Sequence, residues 1–514
     1  MKFTSLLSGL ANLMRAAMKF GTALALAGCL LPAAAKADVT LPNIFGDHMV
    51  LQQAQNNRVW GKAVPGEAVT VTIDKQSQSS TADKDGKWQV TLEPLPVGGP
   101  YEMKIKGKNE VKFDDILVGE VWVCSGQSNM QWWVKTSNDP DLEKLAAKFP
   151  KVRMINFPQV GTQEPIWSHD DRQWQVCTPE TVGDFSAVGY FFARQLHQTL
   201  DVPVGMINNA WGGSSCEGWV NRDVLAADAQ YAPMLERWAG IEKTFSELEN
   251  SKDAKQEQKK QLADQMTGNA RPGNIYNGVL KSHIGYGIRG AIWYQGESNA
   301  GRAYQYRELF PLMISSWRKE WGQGDFPFYW VQLADFLNEQ PEPSESAWAE
   351  LREAQTMTMS KLPNTGEAVI IDIGEGKDIH PKNKVDVGRR LARWALAKDY
   401  GIDVPYHSPQ FKSMENSGSK IVLTFDHVGG QWRPFDIAKP RGFAIAGEDK
   451  KFVWADAKIV EDNRIEVSSP DVAQPVAVRY AWADNPVCNM FSSNGLPLTP
   501  FRTDDWPGKT IDAR

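Results

Sequence analysis

Residues 121–130 read Val121-Trp122-Val123-Cys124-Ser125-Gly126-Gln127-Ser128-Asn129-Met130, an apolar run that ends in a polar, glycine-containing stretch. The β-branched and aromatic residues predict a buried strand, and Gly126 through Asn129 predict a tight turn at its end. A small hydroxyl on such a turn suits a nucleophile. Neighbouring backbone N–H groups can face the oxygen that becomes negative when an acyl carbonyl is attacked. Ser128 is therefore the first candidate, although Ser and Asn also build turns that have no chemical role.

The fold class follows from what surrounds this stretch. After Ile116, apolar strands are expected at 117–124, 202–208, 290–294, 328–333 and 368–373, alternating with helical segments at 187–200 and 385–397. Strands separated by helices predict an α/β domain over 116–405, three layers deep, with its sheet covered on both faces and its active groups at the strand ends. A charged stretch near 223–265 has helical spacing and reads as a surface insertion. Its Lys255, Lys259 and Lys260 are balanced by nearby acids, as on an ordinary solvated face. Residues 38–115 alternate in pattern, as in Ala68-Val69-Thr70-Val71-Thr72-Ile73, between Pro-Gly, Asp-Gly and Gly-Gly signals, which predicts an N-terminal β-rich domain. Short strands at 421–425, 442–446, 452–454 and 476–480 predict a C-terminal β-rich domain over 406–514.

With 514 residues and 42% hydrophobic content, the chain can bury large cores. Its formal charge of −6 argues against general nucleic-acid binding, and no specific protein partner is indicated. Arg15 and Lys19 precede an apolar run at 20–31, and Ala35-Lys36-Ala37 offers a cleavage site before Asp38, so residues 1–37 read as a signal peptide. That run is short of the roughly 20 residues a membrane span needs. Export to the periplasm or beyond is expected. Leu26-Ala27-Gly28-Cys29 also resembles a lipoprotein box, which leaves anchoring at Cys29 open. Cys124, Cys177, Cys216 and Cys488 remain after the leader; their wide spacing fits no metal knuckle and assigns no disulfide.

Acyl transfer needs a base and oxyanion donors beside the nucleophile. In Lys377-Asp378-Ile379-His380-Pro381, His380 can take a proton from Ser128 if the fold brings them together, and Asp378 can orient the imidazole. Such close spacing needs a bent loop, which Pro381 favours. Asn208-Asn209-Ala210-Trp211-Gly212-Gly213-Ser214 and Gln295-Gly296-Glu297-Ser298-Asn299 follow two further strands. Gly213 can supply an oxyanion N–H, and Gln295 or Asn299 can supply another or hold the turn. Trp132, Trp211, Trp293 and Tyr294 lie near these turns and can stack on sugars or pack in the core. The other histidines are scattered and make no metal site.

Taken together, these four blocks resemble the SGNH-hydrolase superfamily, specifically sialate O-acetylesterase-like carbohydrate esterases, over about residues 41–504. The resemblance implies that Ser128 attacks an acetyl ester, that His380 relays the proton and that Asp378 positions His380. The backbone of Ser128 and Gly213, with Gln295 or Asn299, would form the oxyanion environment, and no cofactor would be needed. The superfamily's commoner Asp-x-x-His spacing is Asp-x-His here, so a Ser–His dyad stands beside a triad. The implied substrate is an O-acetylated oligosaccharide or sialoside; acetylated xylan or xyloglucan is the rival, and a carbohydrate-binding protein without hydrolysis is the alternative of another class.

Overall fold

The computed structural model describes residues 38–249, 251 and 254–514. The expected signal peptide and the Cys29 box lie outside the described residues. Among the described residues, no helix is long and apolar enough to cross a membrane.

One strand, Glu110–Gly126, organises the rest. Its first part pairs antiparallel with Gly98–Lys106 and parallel with Val50–Gln52, in the N-terminal β region. Its second part lies between Val204–Asn208 and Gly290–Tyr294, parallel to both. Residues 110–115 alternate between exposed and partly buried, whereas every residue from Ile116 to Gly126 is buried. That change in burial is the pattern shift seen in the sequence. It marks where the strand enters a sheet covered on both faces, not where a new strand begins.

The central sheet runs Thr365–Ala368, Phe328–Val331, Gly290–Tyr294, Glu110–Gly126, Val204–Asn208, Phe149–Asn156 and Gln175–Cys177. All neighbours are parallel except Gln175–Cys177, an antiparallel edge. The chain first winds to one side of the long strand and then crosses to the other, which opens a crevice at the carboxyl end of that strand. On one face Trp122 packs against Phe192 of the helix Ala187–Leu200, which lies beside the helix Lys384–Lys398. On the other, Trp293 packs against Phe310 and Trp317 of the helix Ala303–Trp321, which lies beside the helix Ala347–Lys361. The result is an α/β fold with a mixed central sheet between helical layers.

One strand expectation changes, and two strands of the sheet, Phe149–Asn156 and Gln175–Cys177, lie where none was expected. The edge strand is Thr365–Ala368, and the apolar residues after it leave the sheet because two cores claim them. Ile370 joins the main core, while Val369 and Ile371 join the core of the C-terminal β region. The strand Phe149–Asn156 was not anticipated, since Pro150, Lys151 and Arg153 interrupt its pattern. Arg153 is nonetheless buried, because its guanidinium bonds the Pro150 carbonyl at 2.7 Å and Asp115 at 2.8 Å. In the polar stretch, the helices Ala232–Glu249 and Gln256–Met266 bury little more than Met234, Trp238 and Met266.

The C-terminal region has two four-stranded antiparallel sheets around a shared core that includes Leu423, Ile445, Ile465 and Tyr480. Arg352, fully buried on the helix Ala347–Lys361, ties it to the sheet. Its guanidinium donates to the carbonyls of Leu333, Ala334, Ala483 and Asp484 at 2.7–2.8 Å. Bonds from a charged donor contribute about 1.5–3 kcal/mol each, and losing the donor orphans buried carbonyls. Arg352→Met is therefore expected to lower stability by about 3 kcal/mol or more. Chemical denaturation measures this, and a loss under about 1 kcal/mol would count against the clamp.

Candidate active site

The long strand ends at Gly126 with φ +132°, and a Cβ there would stand 2.2 Å from the Tyr294 carbonyl oxygen, so only glycine fits. The Gln127 N–H then donates to that carbonyl at 2.9 Å. The Gln127 side-chain oxygen accepts from the Gly296 and Ser298 N–H groups, each at 3.4 Å. Ser128 opens the short helix Ser128–Gln131 at the mouth of the crevice. Its own N–H donates to nothing among the described residues, and neither does that of Gly213. The Gly212–Gly213 turn lies against the serine: a Cβ on Gly212 would be 3.4 Å from Ser128 Cβ. Gln131 holds that turn by accepting the Gly212 N–H at 2.8 Å, and Asn269 donates to the Gly212 carbonyl at 2.5 Å.

His380 arrives from the other side, with Nε2 2.8 Å from Ser128 Oγ although 252 positions separate them in sequence. Its ring stacks on Trp132 with centroids 4.9 Å apart and planes 16° from parallel. Asp378 accepts the His380 backbone N–H at 2.9 Å, and the same carboxylate oxygen stands 3.4 Å from Nδ1. It thus bends the loop and places negative charge beside the imidazole. Burial lowers the His380 pKa from its ordinary value, Lys384 lowers it further, and Asp378 opposes both. A neutral imidazole so placed can take the serine proton, and the free N–H groups can meet a developing oxyanion.

Beneath this pair lies a buried polar network that the sequence reading did not find. Asn129 accepts from Lys384 Nζ at 2.5 Å and donates to Glu297 at 2.7 Å and to the Ile379 carbonyl at 3.0 Å. Its amide therefore anchors the residue next to His380. Burial pushes the Lys384 ammonium down to about 7 and the Glu297 carboxyl up, and attraction between the two opposes both shifts. One signal was available: a lysine opening a helix sits badly with the positive end of the helix dipole.

The remaining sequence candidates separate by burial. Gln295 donates to the Ser214 carbonyl and to Asn299 Oδ1, and accepts from the Tyr306 hydroxyl. Asn299 accepts the Cys216 N–H and donates to Glu217, which pairs with Arg302. These amides are occupied in joining the second and third turns. Trp293 and Tyr294 are 0% and 1% exposed, so neither offers a face to a sugar. The strand carrying them is covered by helices, which turns their bulk into core packing. Trp211 is half-buried and donates its backbone N–H to Gly126, while Trp132 is partly exposed beside His380. Cys124, Cys177, Cys216 and Cys488 are unpaired thiols among the described residues, and Cys124 is buried in the long strand.

Residues 118–250 and 265–397 match the family model described as carbohydrate esterase, sialic acid-specific acetylesterase. The chain is 30% identical to the sialate O-acetylesterase of Mus musculus over 506 residues, covering 88% of this chain and 92% of that protein. It is 28% identical to the Homo sapiens sialate O-acetylesterase over 520 residues, covering 90% and 93%. A crystal structure of a carbohydrate acetylesterase from Xanthomonas citri superposes with a TM-score of 0.81 at 38% identity, covering 91% of this chain and all of that one. On the extent of these matches, the chain belongs to the carbohydrate esterase family of sialic acid-specific acetylesterases.

Proposed function

We propose that the protein is a serine-dependent carbohydrate O-acetylesterase with an SGNH-hydrolase-type centre. The observation that carries this reading is the 2.8 Å contact between Ser128 Oγ and His380 Nε2 at the mouth of the crevice. A carbohydrate-binding protein without hydrolysis would have no need to hold these two atoms together. Ser128 attacks the acetyl carbonyl as its proton passes to His380. The N–H groups of Ser128 and Gly213 receive the oxyanion, and the imidazolium protonates the departing sugar oxygen, which leaves as a hydroxyl. Water, deprotonated by the same imidazole, then releases acetate from the acetyl-enzyme.

Asp378 acts in this scheme as a positioning residue. Its stronger bond goes to the loop backbone, and its charge steadies the imidazolium across 3.4 Å. Gln295 and Asn299 act as scaffold for the oxyanion turn, since their amides are already engaged. Trp132 holds the imidazole plane, and Trp211 borders the serine turn. Sialate-type acetyl esters are the family-level substrate, with acetylated xylan or xyloglucan as the second reading. Export through the N-terminal leader would place the enzyme where such glycans occur.

Ser128→Ala is expected to lower acetate release from p-nitrophenyl acetate and from acetylated saccharides by about 10³-fold or more, with the circular dichroism spectrum unchanged. Undiminished release would remove Ser128 as nucleophile. The base must be neutral to accept a proton, so kcat/KM should fall on acidification with an apparent pKa below the ordinary histidine value of 6.5. Asp378→Asn removes a negative neighbour that favours the imidazolium, so this acid limb should move to still lower pH. A pH–rate profile that stayed in place or moved upward would contradict the role given to Asp378.

A further inference from the structure

Trp211, Gly212, Gly213 and Ser214 form a tight turn, closed by the Ser214 N–H on the Trp211 carbonyl at 3.2 Å. Gly213 has φ +73°, as the third residue of a type II turn requires. Type I and type II turns differ by a half-rotation of the peptide between their two central residues, here the Gly212–Gly213 peptide. Glycine at both positions tolerates either form, so the turn by itself does not choose between them. The choice matters for an oxyanion. In the observed form the Gly212 carbonyl is turned to Asn269, and the Gly213 N–H, on the opposite side of the same trans peptide, is left free. A half-rotation would put the carbonyl oxygen where that N–H stands, and a negative oxygen there would be repelled.

Asn269 selects the observed form. Its Nδ2 donates to the Gly212 carbonyl at 2.5 Å, the one hydrogen bond on the central peptide among the described residues. The flanking peptides are held by other groups: Gln131 accepts the Gly212 N–H at 2.8 Å, and Ser298 Oγ donates to the Gly213 carbonyl at 3.0 Å. With its neighbours fixed, the central peptide can rotate alone unless Asn269 holds it. The same bond polarises the peptide and strengthens its N–H as a donor.

The polar helical stretch braces Asn269. The residue follows the helix Gln256–Met266, and the fully buried Asn274 donates to the Met266 and Gly268 carbonyls just before it, each at 2.8 Å. Just after it, Arg271 donates to Glu242 of the helix Ala232–Glu249 at 2.9 Å. A Cβ on Gly218 would stand 2.7 Å from the Asn269 carbonyl oxygen, so this loop packs closely on the segment that follows the turn.

We propose that Asn269 is a positioning residue for deacetylation, which keeps the Gly213 N–H available to the oxyanion by holding the Gly212 carbonyl away from it. The helical stretch then serves the active site by carrying this side chain. The proposal rests on the esterase reading and on Gly213 as an oxyanion donor.

Asn269→Leu keeps the side-chain size and removes the donor. On p-nitrophenyl acetate and on an acetylated saccharide its kcat should fall about tenfold or more, while KM changes by less than about threefold, because the lost interaction belongs to the transition state. The acid limb of its pH–rate profile should stay in place, since His380 keeps its neighbours. Phenylboronic acid, whose adduct with Ser128 offers a tetrahedral oxygen to the same N–H groups, should bind more weakly by a factor similar to the loss in kcat. A crystal structure of the variant should show the Gly212–Gly213 peptide rotated and φ of Gly213 negative. Asn269→Asp, of nearly the same shape but without a donor when ionised, gives the same kcat and crystallographic readings if the leucine variant does not fold. Unchanged kcat, a rise in KM that accounts for the whole loss, or a central peptide that keeps its orientation in the variant crystal would each overturn the proposal. If wild type released acetate from no ester, the esterase reading would fail separately, and the variant crystal structure would still decide whether Asn269 sets this peptide.

Discussion

Two strand ends meet where the Gln127 N–H bonds the Tyr294 carbonyl, with no Cβ on Gly126 to hold them apart. The site depends on that contact. It brings the first strand of the α/β sheet to a stop beside its neighbour and turns the chain outward at Ser128. It also places the serine turn directly against the Gly296–Ser298 backbone, whose N–H groups the Gln127 side chain takes up. The third turn then fastens to the second through Gln295 and Asn299. Three loops from distant parts of the chain thus share one set of hydrogen bonds, and Ser128 inherits the rigidity of the sheet.

The imidazole that meets Ser128 is held by different means. His380 sits on a loop, with a stacked indole on one side and the Asp378 carboxylate bonded to its own backbone. Below it, Asn129 gives its oxygen to Lys384 and its nitrogen to Glu297 and Ile379. Burying an ammonium and a carboxyl is costly unless each finds polar partners. Here a neutral amide, adjacent in sequence to Ser128, partners both and also ties down the loop that carries His380. The spacing of Ser128 and His380 is therefore linked to the burial of Lys384. Burial is the main cause that lowers the His380 pKa; Lys384 adds to it and Asp378 opposes it.

Much of this was legible in the chain. Alternation giving way to continuous apolarity at Ile116 marked the passage from a one-sided to a two-sided sheet, and the Gly126–Asn129 turn pointed to the serine. The helix at 187–200 could be read directly, because its periodic apolar face is local information. The strand at Phe149–Asn156 could not, because its charged residue is buried by partners from elsewhere in the chain. Aromatic residues were the hardest to place. Trp132, Trp293 and Tyr294 are alike in composition and nearness to the turns, yet helical layers bury the last two and leave the first beside His380.

The sequence by itself determined the α/β class, the turn that carries Ser128 and the chemical types of its partners, because strand pattern, turn residues and side-chain functional groups are properties of short segments. Only the tertiary structure decided that His380 reaches Ser128 at 2.8 Å, that the amides of Gln295 and Asn299 are spent on holding turns, and that Lys384 and Glu297 lie buried beneath the pair. Each of these joins residues far apart in the chain, and which donor meets which acceptor is set by sheet order and helix packing, which no short stretch of sequence encodes.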